Sequence, residues 1–193
     1  MKLFKILLGV IIGIIALVLV VGLFVNGKYA VEREVSINKP LAEVFDYVKY
    51  LKNQDNFAVW SNMDPDMKKE FRGVDGTAGF VSAWESQNPD VGKGEQEIIK
   101  ITDGERIDYE LRFLEPFEST DQAYMITTAV NDSTTQVKWG FYGEMSYPMN
   151  LMLLTMDMEK VLGNDLQKGL NLLKKILETS DDPDAVAQDT AAE

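Results

Sequence analysis

The last third of the chain carries the longest periodic pattern of apolar and polar residues. Apolar residues recur there at spacings of three and four, as on one face of an α-helix: Met158, Leu162, Leu166, Leu170, Leu173 and Leu177. The residues between them are mostly polar or charged, so the opposite face is solvated. The pattern predicts one helix over residues 148–177, about 45 Å long. A helix of that length needs a large apolar surface to pack against.

Seven shorter segments upstream have the alternation and composition of β-strands. Turn residues separate them at regular intervals, among them Asp75-Gly76, Asp103-Gly104 and Pro116. The predicted strands are 29–37, 69–74, 79–86, 95–102, 106–114, 122–130 and 136–143, in a meander that short connections keep antiparallel. After the first strand, helical spacing predicts a short helix over 41–51, and 53–60 forms a second short helix or turn.

Strict alternation of charged and apolar residues shows which side of the predicted sheet is dry. In one strand Arg106, Asp108, Glu110 and Arg112 face outward, whereas Ile107, Tyr109, Leu111 and Phe113 face inward. The same rule points Val137, Trp139 and Phe141 inward from the last strand. We therefore expect an α+β fold, in which a curved sheet with one dry face packs against the long helix.

The amino-terminal segment has the length and composition of a membrane anchor. Residues 6–25 are apolar without a charge, long enough to cross a hydrocarbon core of roughly 30 Å, so the lipid bilayer is a predicted partner. A cleaved signal peptide is the alternative, but its apolar part is shorter and ends in a small-x-small site, which is not evident here. Lys2 and Lys5 favour a domain outside the membrane, although Lys28, Arg33 and Lys39 weaken that bias.

Two glycines lie four residues apart within this anchor. Gly9 and Gly13 form a G-x-x-x-G pattern, which lets two helices approach closely and predicts a weak homodimer. The alternative is that glycine is simply common in membrane helices.

Composition excludes several kinds of chemistry. The chain has no Cys and no His, which rules out thiol nucleophiles, disulfides, histidine bases and Cys/His zinc sites within it. Beyond residue 27 there are 17 basic and 31 acidic residues, a net charge of −14. Phosphate binding needs a basic patch, so we expect no nucleic-acid partner. The acidic residues lack the spacing of a calcium loop, and we assign no metal and no cofactor.

Three sequence features add to this order of elements: Val35-Ser36-Ile37-Asn38-Lys39-Pro40 followed by Val44-Phe45, Gly92-Lys93-Gly94-Glu95-Gln96 after Trp60, and Trp139-Gly140-Phe141. Together they carry a resemblance to the helix-grip fold of the birch-pollen allergen, START domains and the SRPBCC superfamily with its polyketide cyclase/dehydrase branch. It implies a seven-stranded antiparallel curved sheet, two short helices and a long C-terminal helix over residues 28–178. Residues 1–27 would be the transmembrane anchor, and 179–193 an acidic, disordered tail.

The resemblance also implies where a ligand would bind. Helix-grip proteins enclose an apolar cavity between sheet and helix, so a small hydrophobic ligand, lipid or isoprenoid-like, is expected. The positions that should line it are Trp84, Tyr109, Met125, Thr127, Trp139, Phe141, Met158 and Leu162. The alternative is that these residues pack as core. An anchored member looks like bacterial proteins of this type, and together with the bias of Lys2 and Lys5 this predicts an inner-membrane protein with the domain on the periplasmic side.

Candidates for catalysis are few. Without His or Cys, acid–base chemistry falls to carboxylates, Tyr or Lys, and Glu85, Glu97 and Tyr109 are the candidates. Glu95 and Glu97 share one face of a predicted strand, however, and a pair of exposed strand charges is the ordinary explanation. Ligand binding, a cyclase/dehydrase-like enzyme with a pocket carboxylate, and an interaction module with a filled core all remain open. Residues 148–156 are apolar on nearly every side, which predicts contact with the membrane or a partner.

Overall fold

A computed structural model of the chain describes residues 2–179. The helices are α1 (Lys2–Gly22), α2 (Leu41–Val48) and α3 (Met158–Thr179), with 3₁₀ helices at Leu51–Asn56, Val59–Asn62 and Met149–Leu154. The strands are β1 (Lys28–Ile37), β2 (Lys68–Arg72), β3 (Val81–Glu85), β4 (Lys93–Thr102), β5 (Arg106–Glu115), β6 (Ser119–Asn131) and β7 (Thr134–Glu144). Of the predicted disordered tail, residue 179 ends α3 and the remainder lies outside the described residues.

The seven strands form one antiparallel sheet in the order β1-β7-β6-β5-β4-β3-β2. The predicted antiparallel sheet and helix-grip architecture are therefore confirmed. Only β2 to β7 follow one another as a meander, because β1 pairs with β7 at the far edge. Since β1 begins opposite the end of β7, the start of β1 lies at the same end of the sheet as the β3–β4 and β5–β6 turns.

The hydrophobic core lies between the concave face of the sheet, α2 and α3. Ile107 and Tyr109 of β5 are buried, as are Val137, Trp139 and Phe141 of β7. This confirms the inward face that alternation predicts. The leucine stripe of α3 packs onto that face: Leu166, Leu170, Leu173 and Leu177 are buried, while Met158 and Leu162 at its beginning are half-buried.

The predicted single helix over 148–177 is wrong, because two helices occupy that stretch. The 3₁₀ helix Met149–Leu154 comes first, and α3 begins only at Met158. Asp157 separates them: its carboxylate accepts a hydrogen bond of 3.2 Å from the backbone N–H of Lys160, as an N-cap residue does. The mostly apolar composition of residues 148–156 concealed this break.

Helix α1 stands apart from the core. It is the one helix among residues 2–179 that is long and apolar enough to cross a membrane, with a mean hydropathy of 3.0. Its apolar side chains, such as Leu3, Ile15 and Leu17, are exposed rather than packed on the sheet. Only its last residue, Gly22, is buried, where the 3₁₀ helix Met149–Leu154 contacts it.

Candidate functional site

A cavity of about 230 Å³ lies between the concave face of the sheet and the first turns of α3. Strands β2 to β7 and the 3₁₀ helices Leu51–Asn56 and Val59–Asn62 complete its walls. The cavity occupies only one half of the concave face. Over the other half, Val44, Phe45 and Val48 of α2 are buried in the core, because α2 packs across β6 and β7 there.

Aromatic rings form much of the cavity wall. The three tryptophans of the chain, Trp60, Trp84 and Trp139, all line it. The ring of Trp139 lies edge-on to Trp60 at 6.1 Å between centroids, and Trp84 meets Phe113 in the same way at 5.9 Å. Such edge-to-face pairs fix ring positions and leave a rigid apolar surface. The α3 side is aliphatic, with Leu162 and Leu166.

Part of the cavity wall is polar. Its polar residues come from the first 3₁₀ helices and from β2, β3 and β4: Gln54, Asp55, Ser61, Lys69, Ser82 and Gln96. Asp55 forms an ion pair with Lys69 and accepts a hydrogen bond of 3.0 Å from the Ser61 hydroxyl. Gln54 is only 7% exposed, and its Nε2 has no hydrogen-bond partner among the described residues. One residue of the cavity lining therefore carries a buried amide donor without a partner.

Asp90, in the β3–β4 loop, is the one exposed residue of the cavity lining. That loop lies at the end of the sheet where β1 begins. The adjoining wall residue Val91 accepts a hydrogen bond of 3.2 Å from the Trp84 indole N–H. The start of β1, which follows α1, lies at this same end of the sheet.

The structure brings together four of the eight predicted ligand-lining residues: Trp84, Trp139, Phe141 and Leu162 line the cavity. The other four lie elsewhere. Tyr109 and Met125 are buried in the core outside the cavity lining. Thr127 is buried with its hydroxyl donating to the Gly104 carbonyl at 3.1 Å. Met158 lies outside the cavity, near the junction between α1 and β1.

Both glutamates that the sequence nominated for catalysis lie on the outer face of the sheet. Glu85 pairs with Lys93 at 3.1 Å, and that contact holds the pKa of its carboxyl below the ordinary range. Glu97 accepts a hydrogen bond of 2.7 Å from Arg112, which also binds Glu95 and Glu110. The sheet separates both carboxylates from the cavity, so neither reaches a molecule held there. Tyr109, the third candidate, is buried without touching the cavity.

One buried carboxylate was missed from the sequence. Asp121 of β6 is 4% exposed on the concave face, two residues before Ala123 of the cavity wall. Burial raises the pKa of its carboxyl, although the Ser119 hydroxyl donates a hydrogen bond of 3.1 Å to it. The signal was the alternation of β6, which places Asp121 on the same face as Ala123. The predicted strand began at residue 122, three residues after the start of β6, and therefore left Asp121 out. Gln54 carried no comparable signal, because the strand residues that complete the polar part of the lining, Lys69, Ser82 and Gln96, come from distant segments.

No protein-family model matches the chain, and no curated protein matches its sequence. Solved structures match its fold. Truncated norcoclaurine synthase from Thalictrum flavum is 8% identical, with a TM-score of 0.61 over 79% of this chain and 94% of that one. Another structure of that synthase is a complex with dopamine and hydroxybenzaldehyde, at 7% identity and a TM-score of 0.58 over 81% of this chain and 90% of that one.

Two further solved structures have the same fold. A protein from Thermus thermophilus is 16% identical, with a TM-score of 0.57 over 79% of this chain and 99% of that one. Ara h 8.0201 is 14% identical, with a TM-score of 0.52 over 78% of this chain and 98% of that one. At identities this low the likeness establishes the fold alone, and that fold is the helix grip.

Proposed function

We propose that this protein binds a small, largely apolar molecule in the cavity between its sheet and α3, while α1 anchors it in a membrane. The observation that carries the proposal is the cavity itself, which is open and walled by Trp60, Trp84 and Trp139 on one side and by α3 leucines on the other. Concave sites with mostly apolar walls and a few convergent polar groups are typical of small-molecule binding. An open cavity argues against the alternative of an interaction module with a filled core.

The size and polarity of the cavity restrict the ligand. At about 230 Å³ the cavity is smaller than the roughly 300–1,000 Å³ of pockets that enclose drug-sized molecules. A short ligand, or part of a longer lipid or isoprenoid whose remainder projects at Asp90, would fit. A buried donor without a partner costs free energy, so the Gln54 amide favours a ligand that brings a hydrogen-bond acceptor. The expected ligand is therefore amphipathic: an apolar body with a carbonyl or hydroxyl oxygen.

Membrane anchoring rests on α1. Its 21 residues give a length of about 31 Å, matching the hydrocarbon core of a bilayer. Lys2 and Lys5 favour a cytoplasmic amino terminus, which would put the domain, residues 28–178, on the periplasmic side of a bacterial inner membrane. A cavity opening on the α1 side would then exchange an apolar ligand with that membrane. The weak homodimer through Gly9 and Gly13 stays a prediction.

Intrinsic fluorescence tests the binding proposal directly, because all three tryptophans line the cavity. The probe is 8-bromo-1-octanol, whose bromine quenches tryptophan emission on contact. Titration of the full chain in detergent should give saturable quenching, and an Ala123→Leu variant that fills the cavity should weaken binding by about tenfold, or about 1.4 kcal/mol. Val130→Leu, at an exposed position far from the cavity, is the matched control. Equal, unsaturable quenching of all three proteins would refute cavity binding.

A cyclase/dehydrase-like enzyme is the second candidate, and one observation favours it. Asp55 and Lys69 form an ion pair on the cavity wall, where a carboxylate could accept a proton while an ammonium polarises a carbonyl. The test incubates the molecule extracted from the purified protein with the wild-type chain and with Asp55→Asn. Loss of water from that molecule with the wild type alone would support catalysis. An unchanged molecule in both reactions would leave binding as the function.

A further inference from the structure

The 3₁₀ helix Met149–Leu154, which we call the foot, lies between β7 and α3 and carries no charge. The uncharged stretch extends on both sides of it, from residue 145 to residue 156. Several of its apolar side chains point into solvent: Leu154 is 60% exposed, and Met149 and Met152 are exposed as well. Contiguous apolar side chains that are exposed on a soluble domain usually mark a surface that contacts something else, so we expect another surface to cover the foot.

Two hydrogen bonds fix the foot to the end of α1. The side-chain amide of Asn150 donates to the carbonyl oxygens of Gly22 at 2.8 Å and Val25 at 2.9 Å. The last carbonyls of a helix have no partner within it, so Asn150 caps the C-terminal end of α1. Asn150 is only 5% exposed, and Leu151 packs so closely on Gly22 that an added Cβ would lie 3.0 Å from its Cγ. The foot and the end of α1 therefore form one unit.

This attachment sets the depth at which the foot must lie. If α1 crosses the hydrocarbon core, its last turn lies at the boundary between lipid tails and headgroups. Leu23 and Phe24, which follow α1, are exposed, the latter at 85%, so the end of α1 also presents apolar side chains to its surroundings. Tyr147, just before the foot, is an aromatic residue of the kind enriched at this boundary. Flexible thioethers such as Met149 and Met152 adapt well to acyl chains.

We propose that the foot lies in the headgroup region of the bilayer that α1 spans, with Asn150 locking the domain to the membrane surface in one orientation. The occupant of the apolar surface is thus lipid, and not a partner protein. The inference rests on the proposed membrane anchoring but not on ligand binding. It also explains why an asparagine stands within an otherwise apolar segment: its amide satisfies the helix end, and the neighbouring side chains contact lipid.

The absence of cysteine makes the proposal directly testable by spin labelling. Full-length Leu154→Cys and Met152→Cys chains are labelled with a nitroxide and placed in phosphatidylcholine nanodiscs. Accessibility to oxygen, which partitions into lipid, is compared with accessibility to a water-soluble nickel chelate. Val130→Cys, equally exposed at the opposite end of the sheet, is the aqueous control, and Ile15→Cys reports whether α1 is inserted.

We expect the labels at 152 and 154 to have an oxygen-to-nickel accessibility ratio several-fold above that at 130 and below that at 15. A ratio at 154 equal to that at 130, with 15 buried in lipid, would overturn the role of the foot while leaving the anchor intact. A ratio at 15 equal to that at 130 would overturn both proposals. Adding Asn150→Leu to the 154-labelled chain should increase label mobility and nickel access there, whereas the same substitution in the 15-labelled chain should change neither. An unchanged spectrum at 154 would refute the lock.

Discussion

Gly169 of α3 lies directly against the indole of Trp139, so close that an added Cβ would come within 2.8 Å of the ring and 3.0 Å of the Phe57 carbonyl oxygen. This contact seats the long helix on the sheet and holds Trp139 in the cavity wall. Trp139 is also held edge-on by Phe57 at 5.6 Å between centroids. The glycine therefore determines how close the helix comes, and with it the shape of the cavity.

We expect Gly169→Ala to destabilise the fold. Alanine gains up to about 1 kcal/mol of helix propensity over glycine, but forcing a methyl group into this packed contact costs about 1–3 kcal/mol, and the second effect should dominate. Thermal unfolding followed by circular dichroism measures the change. Asn164→Ala, at an exposed position of the same helix, is the matched control and should stabilise slightly. An alanine at 169 that raises the unfolding temperature as much as the one at 164 would contradict the contact.

Tyr109→Phe should leave the protein as stable or make it more stable, by up to about 1 kcal/mol. The Tyr109 hydroxyl is buried and has no hydrogen-bond partner among residues 2–179, so removing it relieves a desolvation cost. Urea unfolding provides the measurement. Tyr124→Phe is the comparison, because the Tyr124 hydroxyl donates to the Glu32 carboxylate and its loss should destabilise slightly. A large loss of stability in Tyr109→Phe would mean that the hydroxyl has a partner.

Alternation along single strands was enough to predict the sheet and its faces. In β5 every second residue is charged, so Ile107 and Tyr109 could be assigned to the core from the sequence alone. The leucine spacing of α3 gave its buried face in the same way. These features depend on neighbours within one element, and period alone reveals them.

The half of the concave face that carries the cavity could not be predicted from alternation. Whether an inward residue meets a cavity or a helix depends on where α2 lies, which is why Trp139 lines the cavity and Met125 does not. The polar wall joins Gln54 to β2 and β4 across long stretches of sequence. The role of Asn150 likewise depends on α1, over 120 residues away in the chain. No local pattern encodes such contacts.

Asp121→Asn should change the pH dependence of stability. Burial raises the pKa of Asp121, so the folded state binds this proton more tightly than the unfolded state does. Ionisation of Asp121 therefore lowers the free energy of unfolding. This loss of stability grows as pH rises from the unfolded-state pKa through the folded-state pKa, and it is complete above the folded-state pKa. Asparagine does not ionise, so the variant should melt above the wild type at pH 7, with the difference shrinking as pH falls through that window.

Glu95→Gln provides a control of opposite sign for this experiment. Hydrogen bonds from Arg72 and then Arg112 lower the pKa of Glu95, so its ionised form stabilises the fold at neutral pH. The Gln variant should melt below the wild type at pH 7, and the difference should vanish as pH falls through the folded-state pKa of Glu95. If the melting-temperature difference from the wild type had the same sign and the same pH dependence in both variants, the environments assigned to Asp121 and Glu95 would be refuted.

Gln54→Leu should remove the preference of the cavity for a ligand with an oxygen acceptor. In the wild type we expect 8-bromo-1-octanol to bind more tightly than 1-bromo-octane, by about 2–10-fold, because a neutral hydrogen bond contributes about 0.5–1.5 kcal/mol. The leucine variant should bind both equally. Tryptophan quenching measures each affinity. The ratio of the two affinities is compared between wild type and variant, because partitioning of each ligand into detergent affects both proteins equally. A preference that survives in the variant would exclude the Gln54 amide as its source.

Native mass spectrometry of the full chain, purified gently in detergent from its own host, tests the central claim most directly. The wild type should carry a discrete adduct that organic extraction removes and that is absent from the cavity-filled Ala123→Leu variant. Lipids bound to α1 should remain equally on both proteins, so the difference isolates the cavity. Identical adduct patterns on wild type and Ala123→Leu would contradict a ligand-binding function.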